Sequence, residues 1–315
     1  MPDQAITTKV LTKRFGHHAA VDSLTMTVET GEVYGLLGRN GAGKTTTIGM
    51  LTTLLAPSSG EAQVAGHDVV AEAAAVRRTV GVVLQEHALD RWLSIEENLL
   101  YLAAAYRIPG QERRDRVGLA LERLGLSEVR RQVVGELSGG NHRRVEIAAG
   151  ILGEPRVLFL DEPTVGLDVE ARRNIWEHVQ GLTGAGITVV LTTHYLEEAD
   201  ALANRVGIME RGRLVLEGTP QEVKAAVGRR EITARVEGTW PDDVLAGLRA
   251  LGPLSPGNGG EIVLRLVSRD GVQSALGLLA ASSLSLTELH VGVASLDEAF
   301  LAAIRQRRPC EGSSV

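Results

Sequence analysis

The stretch "GRNGAGKT", residues 38–45, decides the fold. It matches the pattern G-x-x-x-x-G-K-[ST] in full, and it stands between an apolar strand-like run, "EVYGLLG", and a helix-like run, "TTTIGMLTTLL". Glycines let backbone amides curl around a phosphate, and a helix N-terminus adds partial positive charge. The stretch therefore predicts a phosphate-binding loop. The alternative, a glycine-rich turn that fits by chance, lacks this context.

Each residue type in this loop has a chemical reason. Lys44 is expected to reach the β- and γ-phosphates of a nucleotide, and Thr45 to place its hydroxyl on Mg²⁺. ATP and Mg²⁺ are therefore the predicted cofactors. The predicted nucleotide-binding residues of the loop are Gly38, Arg39, Asn40, Gly41, Ala42, Gly43, Lys44, Thr45 and Thr46.

A second apolar run, "VLFLDEP" (residues 157–163), ends in two carboxylates. Charge at the end of a buried strand costs desolvation unless a cation or ligand compensates it. Asp161 is the predicted partner of Mg²⁺ through water, and Glu162 the group that polarises or deprotonates a water lined up on the γ-phosphate. The adjacent glutamate indicates hydrolysis rather than nucleotide binding alone. The alternative is a carboxylate that caps a helix.

Composition restricts the class of protein. The chain has 315 residues, 44% of them hydrophobic, and a formal net charge of -6, which argues against general binding to nucleic acid or anionic lipid. Its single cysteine, Cys310, excludes a disulfide framework and suits a reducing cytosol. No signal peptide and no apolar run of about 20 residues is visible, so a partner would have to supply any membrane spans.

Strand-like and helix-like segments alternate along the chain. Residues 1–227 are expected to form an α/β nucleotide-binding domain with a helical subdomain at about 92–150, where Ser94 and Glu97 form a capping box. Alternating patterns at 24–30 and 205–219 predict antiparallel hairpins. A small α+β domain is expected over 228–307. Its last predicted helix is "SLDEAFLAAIRQR", and a disordered tail follows at 308–315.

Further motifs agree in order and spacing with the first two. "LSGGN" precedes Asp161, "GLD" follows Glu162, and "TTHYLEEAD" comes after these. Together they resemble the ATP-binding subunits of ABC transporters, and most resemble the daunorubicin/doxorubicin resistance ATPases, whose C-terminal domain ends similarly to "SLDEAFL". The resemblance implies a P-loop NTPase fold of α/β class with a mixed β core, an antiparallel β subdomain and a helical subdomain.

The resemblance also implies roles for single residues. Phe15 matches the aromatic residue that stacks on adenine, although it could be a core aromatic at a strand end. Gln85 matches the glutamine that approaches Mg²⁺ and the attacking water in the loop that touches the membrane subunit; an ordinary surface glutamine is the alternative. His194 matches the switch histidine at the γ-phosphate, and Asp168 the aspartate that links the two sites of a dimer. His17, His18, His87 and His142 are expected to be surface residues.

The opening motif "LSGGN" is similar to the family's signature, with one departure. Ser138, Gly139 and Gly140 match and are expected to bind the ATP of a second subunit, since a helix N-terminus provides an anion site. Asn141 stands where this family has Gln or Met. Asn keeps the amide of Gln with one methylene less, so we expect function to survive with modest changes in ATP affinity or turnover.

The resemblance implies an ATPase that closes as a head-to-tail homodimer on the inner face of the cell membrane. It would power a separate membrane permease that exports a drug, antibiotic or similar amphipathic molecule. The alternative is a soluble ABC ATPase without a transport role, as in translation or DNA repair. Such relatives usually carry two cassettes or a long coiled coil, and neither is visible here. The transported cargo and the role of the C-terminal domain cannot be deduced from the sequence.

Overall fold

A computed structural model describes residues 4–84, 89–226, 230–257, 260–266, 269–282, 284–293, 296 and 300. The chain divides into two compact units between Thr219 and Pro220. This division lies a few residues before the expected boundary at 227, because a new helix starts at Pro220 directly after the last strand of the first unit.

Strands and helices alternate through the described part of the first unit, as the sequence pattern predicts. The strands are β1 (Gln4–Phe15), β2 (His18–Glu29), β3 (Val33–Leu37), β4 (Ser59–Val64), β5 (His67–Asp68), β6 (Val80–Val83), β7 (Val157–Asp161), β8 (Thr188–Thr193), β9 (Arg205–Glu210) and β10 (Arg213–Gly218). The helices are α1 (Lys44–Leu51), α2 (Ala73–Thr79), α3 (Ile95–Ala105), α4 (Gly110–Arg123), α5 (Gly139–Ile151), α6 (Val169–Gly184) and α7 (Leu196–Leu202).

The central sheet has the strand order β10-β9-β3-β8-β7-β6, in which only β10 runs antiparallel to its neighbour. Every residue of β3, β7 and β8 is buried, as expected for parallel strands covered on both faces. The register pairs Leu37 with Thr193 and Asp161 with Thr192. The carboxyl ends of these strands therefore lie together at one edge of the sheet.

A second sheet has the order β2-β1-β4-β5 and is antiparallel throughout. Its apolar residues join the core of the central sheet, where Ile6, Met26, Tyr34 and Phe159 are among the fully buried side chains. Both predicted hairpin regions are confirmed, since β2 pairs antiparallel with β1 and β10 with β9. This sheet carries the β1–β2 tip to the side of the phosphate-binding loop.

The predicted helical subdomain is formed by α3, α4 and α5. Ser94 caps α3 by accepting from the backbone N–H of Glu97, whose carboxylate accepts from the backbone N–H of Ser94 at 2.8 Å. This confirms the predicted capping box. Helix α4 packs against both α3 and α5. The helix predicted from the run "TTTIGMLTTLL" is shorter than expected. Helix α1 ends at Leu51, because Thr53 has a φ of 64° that a helix does not accommodate.

The second unit begins with α8 (Pro220–Ala226) and continues with β11 (Arg230–Val236), α9 (Asp242–Leu251), β12 (Leu254–Pro256), β13 (Glu261–Leu266), α10 (Arg269–Ala281) and β14 (Leu286–Val293). The sheet order β12-β13-β11-β14, antiparallel throughout, is that of a split β-α-β fold. The sequence "GPLSPGNGG", residues 252–260, predicts only a flexible hairpin-like connection between α9 and β13, and the structure adds the short strand β12 within it. The predicted last helix lies almost wholly, and the tail entirely, outside the described residues.

Candidate active site

Four parallel strands deliver the chemical groups of the site to one edge of the central sheet. The phosphate-binding loop follows β3, the acidic pair ends and follows β7, His194 follows β8, and Leu84 follows β6. Loops at the carboxyl ends of parallel strands form the binding crevice of such sheets. Gln85, which comes next after Leu84, lies outside the described residues, and its role stays a prediction.

The loop of residues 38–43 has the backbone shape that its glycines permit. Gly41 and Gly43 have φ of 81° and 108°, and a Cβ at Gly43 would lie 2.4 Å from the carbonyl oxygen of Ala20. Only glycine fits there. The Lys44 ammonium, 5% exposed, donates to the carbonyl oxygens of Gly38 at 2.8 Å and Arg39 at 3.4 Å. It is thereby held across the mouth of the loop.

Thr45 and Asp161 form the predicted metal position. The Thr45 hydroxyl donates to Asp161 Oδ2 at 3.0 Å, and the Thr192 hydroxyl donates to Asp161 Oδ1. A hydroxyl beside a carboxylate fits Mg²⁺, which prefers oxygen ligands and takes one or two from protein when phosphates supply others. Among the described residues no group of three or more His, Cys, Asp or Glu could hold a metal by itself. The pair therefore suits a metal that arrives with a nucleotide.

Glu162 lies between two basic side chains. Its Oε1 is 3.4 Å from Lys44 Nζ, and its Oε2 is 3.2 Å from His194 Nδ1. Its backbone N–H is bound to the carbonyl and the hydroxyl oxygen of Thr192, each at 3.1 Å, and its φ is 49°. A non-glycine residue in this left-handed region is uncommon and marks functional sites. The structure thus brings Lys44, Glu162 and His194 together as the sequence predicts.

A cavity of about 400 Å³ opens over the phosphate-binding loop, and its lining includes Asn40, Lys44, Thr46, Glu162 and His18. From its sequence context, His18 is expected to be a surface residue. It is exposed, but it also faces this cavity from the start of β2. The signal was its place just after Phe15 at the hairpin tip.

Phe15 is half exposed at the end of β1, with the Lys13 ammonium 5.2 Å from the ring centroid. This placement at the surface argues against a core aromatic. Its stacking on adenine stays a prediction.

The signature residues lie at the start of α5. Ser138 is the N-cap, and its hydroxyl accepts from the backbone N–H of Asn141 at 3.3 Å. Ser138 and Gly139 are exposed, and Gly139 and Gly140 open the helix. Asp168 is exposed as well and caps α6 by accepting from the backbone N–H of Ala171 at 2.8 Å. Of the described residues that line the cavity over the phosphate-binding loop, neither Ser138 nor Asp168 is one.

The helix after His194 contains a buried acid. Glu198 in α7 has no exposed surface, and burial raises the pKa of its carboxyl. The indole Nε1 of Trp176 donates to its Oε1 at 3.4 Å. This acid lies in the first turn of α7, four residues after His194.

Comparison with known proteins agrees with this geometry. The family described as ABC transporter matches residues 21–165. The daunorubicin/doxorubicin resistance ATP-binding protein DrrA of Streptomyces peucetius is 40% identical over 315 residues, which cover 96% of this chain and 92% of that protein.

Two solved structures extend the comparison to the fold. CbiO1 of Clostridium perfringens, part of the ABC transporter complex cbiONQ, matches with a TM-score of 0.67 at 30% identity. The match covers 71% of this chain and 91% of the CbiO1 chain. The dimeric bacterial ABC transporter cassette MJ0796 has a TM-score of 0.61 at 27% identity, covering 68% and 98%. The chain is therefore an ABC transporter ATPase and belongs to the daunorubicin/doxorubicin resistance subfamily.

Proposed function

We propose that two copies of this chain close head to tail around two ATP molecules and drive export through a separate membrane permease. The cargo is a drug, antibiotic or similar amphipathic molecule. The observation that carries the proposal is the split between two groups of residues. Lys44 and Glu162 line the cavity over the phosphate-binding loop and His194 contacts Glu162, whereas Ser138, exposed at the start of α5, is not among the described residues that line this cavity.

The chemistry follows from the contacts at the cavity. Lys44 and the loop amides neutralise the β- and γ-phosphates, and Thr45, with Asp161 acting through water, would hold Mg²⁺, which would neutralise further phosphate charge. Glu162 accepts a proton from the attacking water, and His194 orients the carboxylate and contacts the γ-phosphate. Lys44 also pairs with Glu162. ATP replaces that carboxylate as the partner of the ammonium and leaves Glu162 for the water.

The second half of each site comes from the other subunit. Ser138 and the amides of residues 139–140 offer N–H donors and a positive helix end to the γ-phosphate bound by the partner, and Asp168 links the two sites. The MJ0796 cassette is itself dimeric, which supports a dimer here. The dimer then closes when ATP binds and opens after the products are released, and this cycle drives transport.

Complementation tests this geometry. Lys44→Ala and Ser138→Arg each disable both sites of a homodimer. In a mixed head-to-tail dimer, the two changes fall in the same site and leave the other intact. Mixing the two inactive variants should therefore restore ATP turnover and an ATP-dependent dimer, measured by phosphate release and light scattering. If mixing restores neither, the two halves of a site belong to one chain and the proposal fails.

The proposal of a membrane permease as partner rests on the family to which the chain belongs. In the described residues no helix is long and apolar enough to cross a membrane. The DrrA relative is named for drug resistance, and it gives no support to the alternative of a translation or DNA-repair factor. A permease of about six spans that co-purifies from membranes would support export from the inner face of the membrane. Recovery with ribosomes would contradict it.

A further inference from the structure

One arginine in the signature helix contacts the backbone on both sides of Glu162. Arg143 Nε donates to the carbonyl oxygen of Pro163 at 2.9 Å, and Nη2 donates to that of Asp161 at 2.9 Å. Its third nitrogen, Nη1, donates to the carbonyl oxygen of Leu84 at 3.2 Å. A single guanidinium thus holds the residues before and after the proposed base, and the residue before Gln85.

This arginine is buried and paired. Its side chain is 9% exposed, and Nη1 lies 2.7 Å from Oε2 of Glu146, which is 6% exposed. His142 Nδ1 lies 3.5 Å from the other carboxylate oxygen. A buried charge is expensive unless it is paired and hydrogen-bonded, and the planar five-donor fork of arginine meets that need where lysine cannot. These contacts fix the guanidinium in one place.

The backbone that Arg143 holds is strained at Glu162. Glu162 has a φ of 49°, a conformation that costs energy and persists only where the surroundings impose it. The bond to the Asp161 carbonyl holds the peptide group that joins Asp161 to Glu162, and the bond to the Pro163 carbonyl holds the peptide group that follows Pro163. A misplacement of about 1 Å at a reacting group can cost about 100-fold in rate. The position of Arg143 therefore affects the orientation of the Glu162 carboxylate.

We propose that Arg143, held by Glu146, is a positioning residue that ties the helix starting at Ser138 to the base Glu162 of the same chain. In the head-to-tail dimer, on which this inference rests, that helix contacts the partner's ATP while Glu162 acts on the chain's own ATP. Arg143 thus mechanically joins the two ATP sites. A shift of α5 on closing reaches Glu162 and the segment before Gln85 through one guanidinium.

Steady-state kinetics test positioning against general stability. Arg143→Ala should lower kcat at least about tenfold while the ATP dissociation constant changes less than about threefold. Arg143→Lys keeps the buried cation but not the fork, and it should recover only part of kcat. Arg116→Ala is the control, because Arg116 binds the carbonyl of Leu152 at the other end of α5 and pairs with Glu112. It should change kcat less than twofold. Equal kcat in wild type and both Arg143 variants would overturn the proposal.

Mixed dimers decide which site the arginine serves. One dimer places Arg143→Ala and Glu162→Gln in the same chain, and the other places them in opposite chains. If Arg143 positions its own Glu162, the first dimer keeps the turnover of a wild-type/Glu162→Gln dimer and the second loses it. The reverse result would mean that Arg143 acts only through the partner's ATP and would refute the inference. If the wild-type/Glu162→Gln dimer is inactive while the wild-type homodimer is active, the proposed function fails instead, because one intact site is then not enough for turnover.

Discussion

Replacing Glu162 by Gln is the sharpest test of the site. The amide keeps the size of the side chain but cannot accept the proton of the attacking water. A positioned general base contributes about 100- to 10,000-fold in rate, or about 3–5 kcal/mol of transition-state stabilisation. Turnover should therefore fall to about 1% of wild type or less, while the loop that binds the phosphates is unchanged.

The same substitution should tighten ATP binding. The Lys44 ammonium is 3.4 Å from the Glu162 carboxylate, and both side chains are at least nine-tenths buried. At an effective dielectric constant of about 20, two unit charges at that distance attract by about 5 kcal/mol. Desolvation cancels much of this. If a fifth of this attraction remains, Glu162→Gln binds ATP more tightly by about 1 kcal/mol, because the phosphates no longer compete with a carboxylate for Lys44. The ATP dissociation constant then falls about fivefold.

Two measurements check this reasoning. Single-turnover hydrolysis gives the rate, and a fluorescent ATP analogue titrated into the chain gives the dissociation constant. Glu177→Gln, the same change at an exposed position of α6, should alter neither value. Hydrolysis by Glu162→Gln within twofold of wild type would refute the base assignment. A weaker affinity for ATP would refute the competition between carboxylate and phosphate.

Three further predictions follow from single side chains. His18→Ala should raise the dissociation constant for ATP about two- to tenfold, the worth of one hydrogen bond, whereas His17→Ala should not; equal titrations would contradict this. Asn141→Gln should change kcat less than about tenfold in steady-state assays, and a larger loss would mean that the shorter amide is required. Because burial raises the pKa of Glu198, stability falls as pH rises above the ordinary carboxyl value of 4.5. The melting temperature of Glu198→Gln relative to wild type should therefore increase as the pH rises above 4.5, and a pH-independent difference, like that expected for Glu197→Gln, would exclude this.

The sequence predicts the parts of the site that lie within continuous segments. An all-apolar run followed by a glycine loop or by "DEP" predicts a buried parallel strand with chemistry at its carboxyl end, and β3 and β7 confirm this. Since parallel strands share that edge, the convergence of Lys44, Asp161 and Glu162 follows from the order of elements. Likewise the capping box at Ser94 is local and was predictable from spacing.

Contacts between distant segments were not predictable in this way. Arg143 reads as an ordinary arginine on a helix, because nothing in the sequence tells which carbonyls a guanidinium will reach across the fold. His18 looked like a surface residue for the same reason, since its place in the cavity depends on how β1 and β2 approach the loop. The short strand β12 was missed because Pro256 and the glycines after it favour a turn.

The departure at Asn141 can be explained by its neighbours. Its backbone N–H is bound by the hydroxyl of Ser138, and its side-chain oxygen accepts from Nη2 of Arg144. The same guanidinium donates through Nη1 to the carbonyl of Leu124 at 3.2 Å, just past the end of α4. The amide is therefore oriented by its own chain, and the reach of the longer glutamine is not needed to place it. Removing the arginine should then harm this signature more than exchanging Asn for Gln, because a short amide without its partner has other rotamers to occupy. Comparing the ATP-dependent dimer of Arg144→Ala with that of Asn141→Gln measures this, and equal dimer yields would show that the orientation of the amide does not matter.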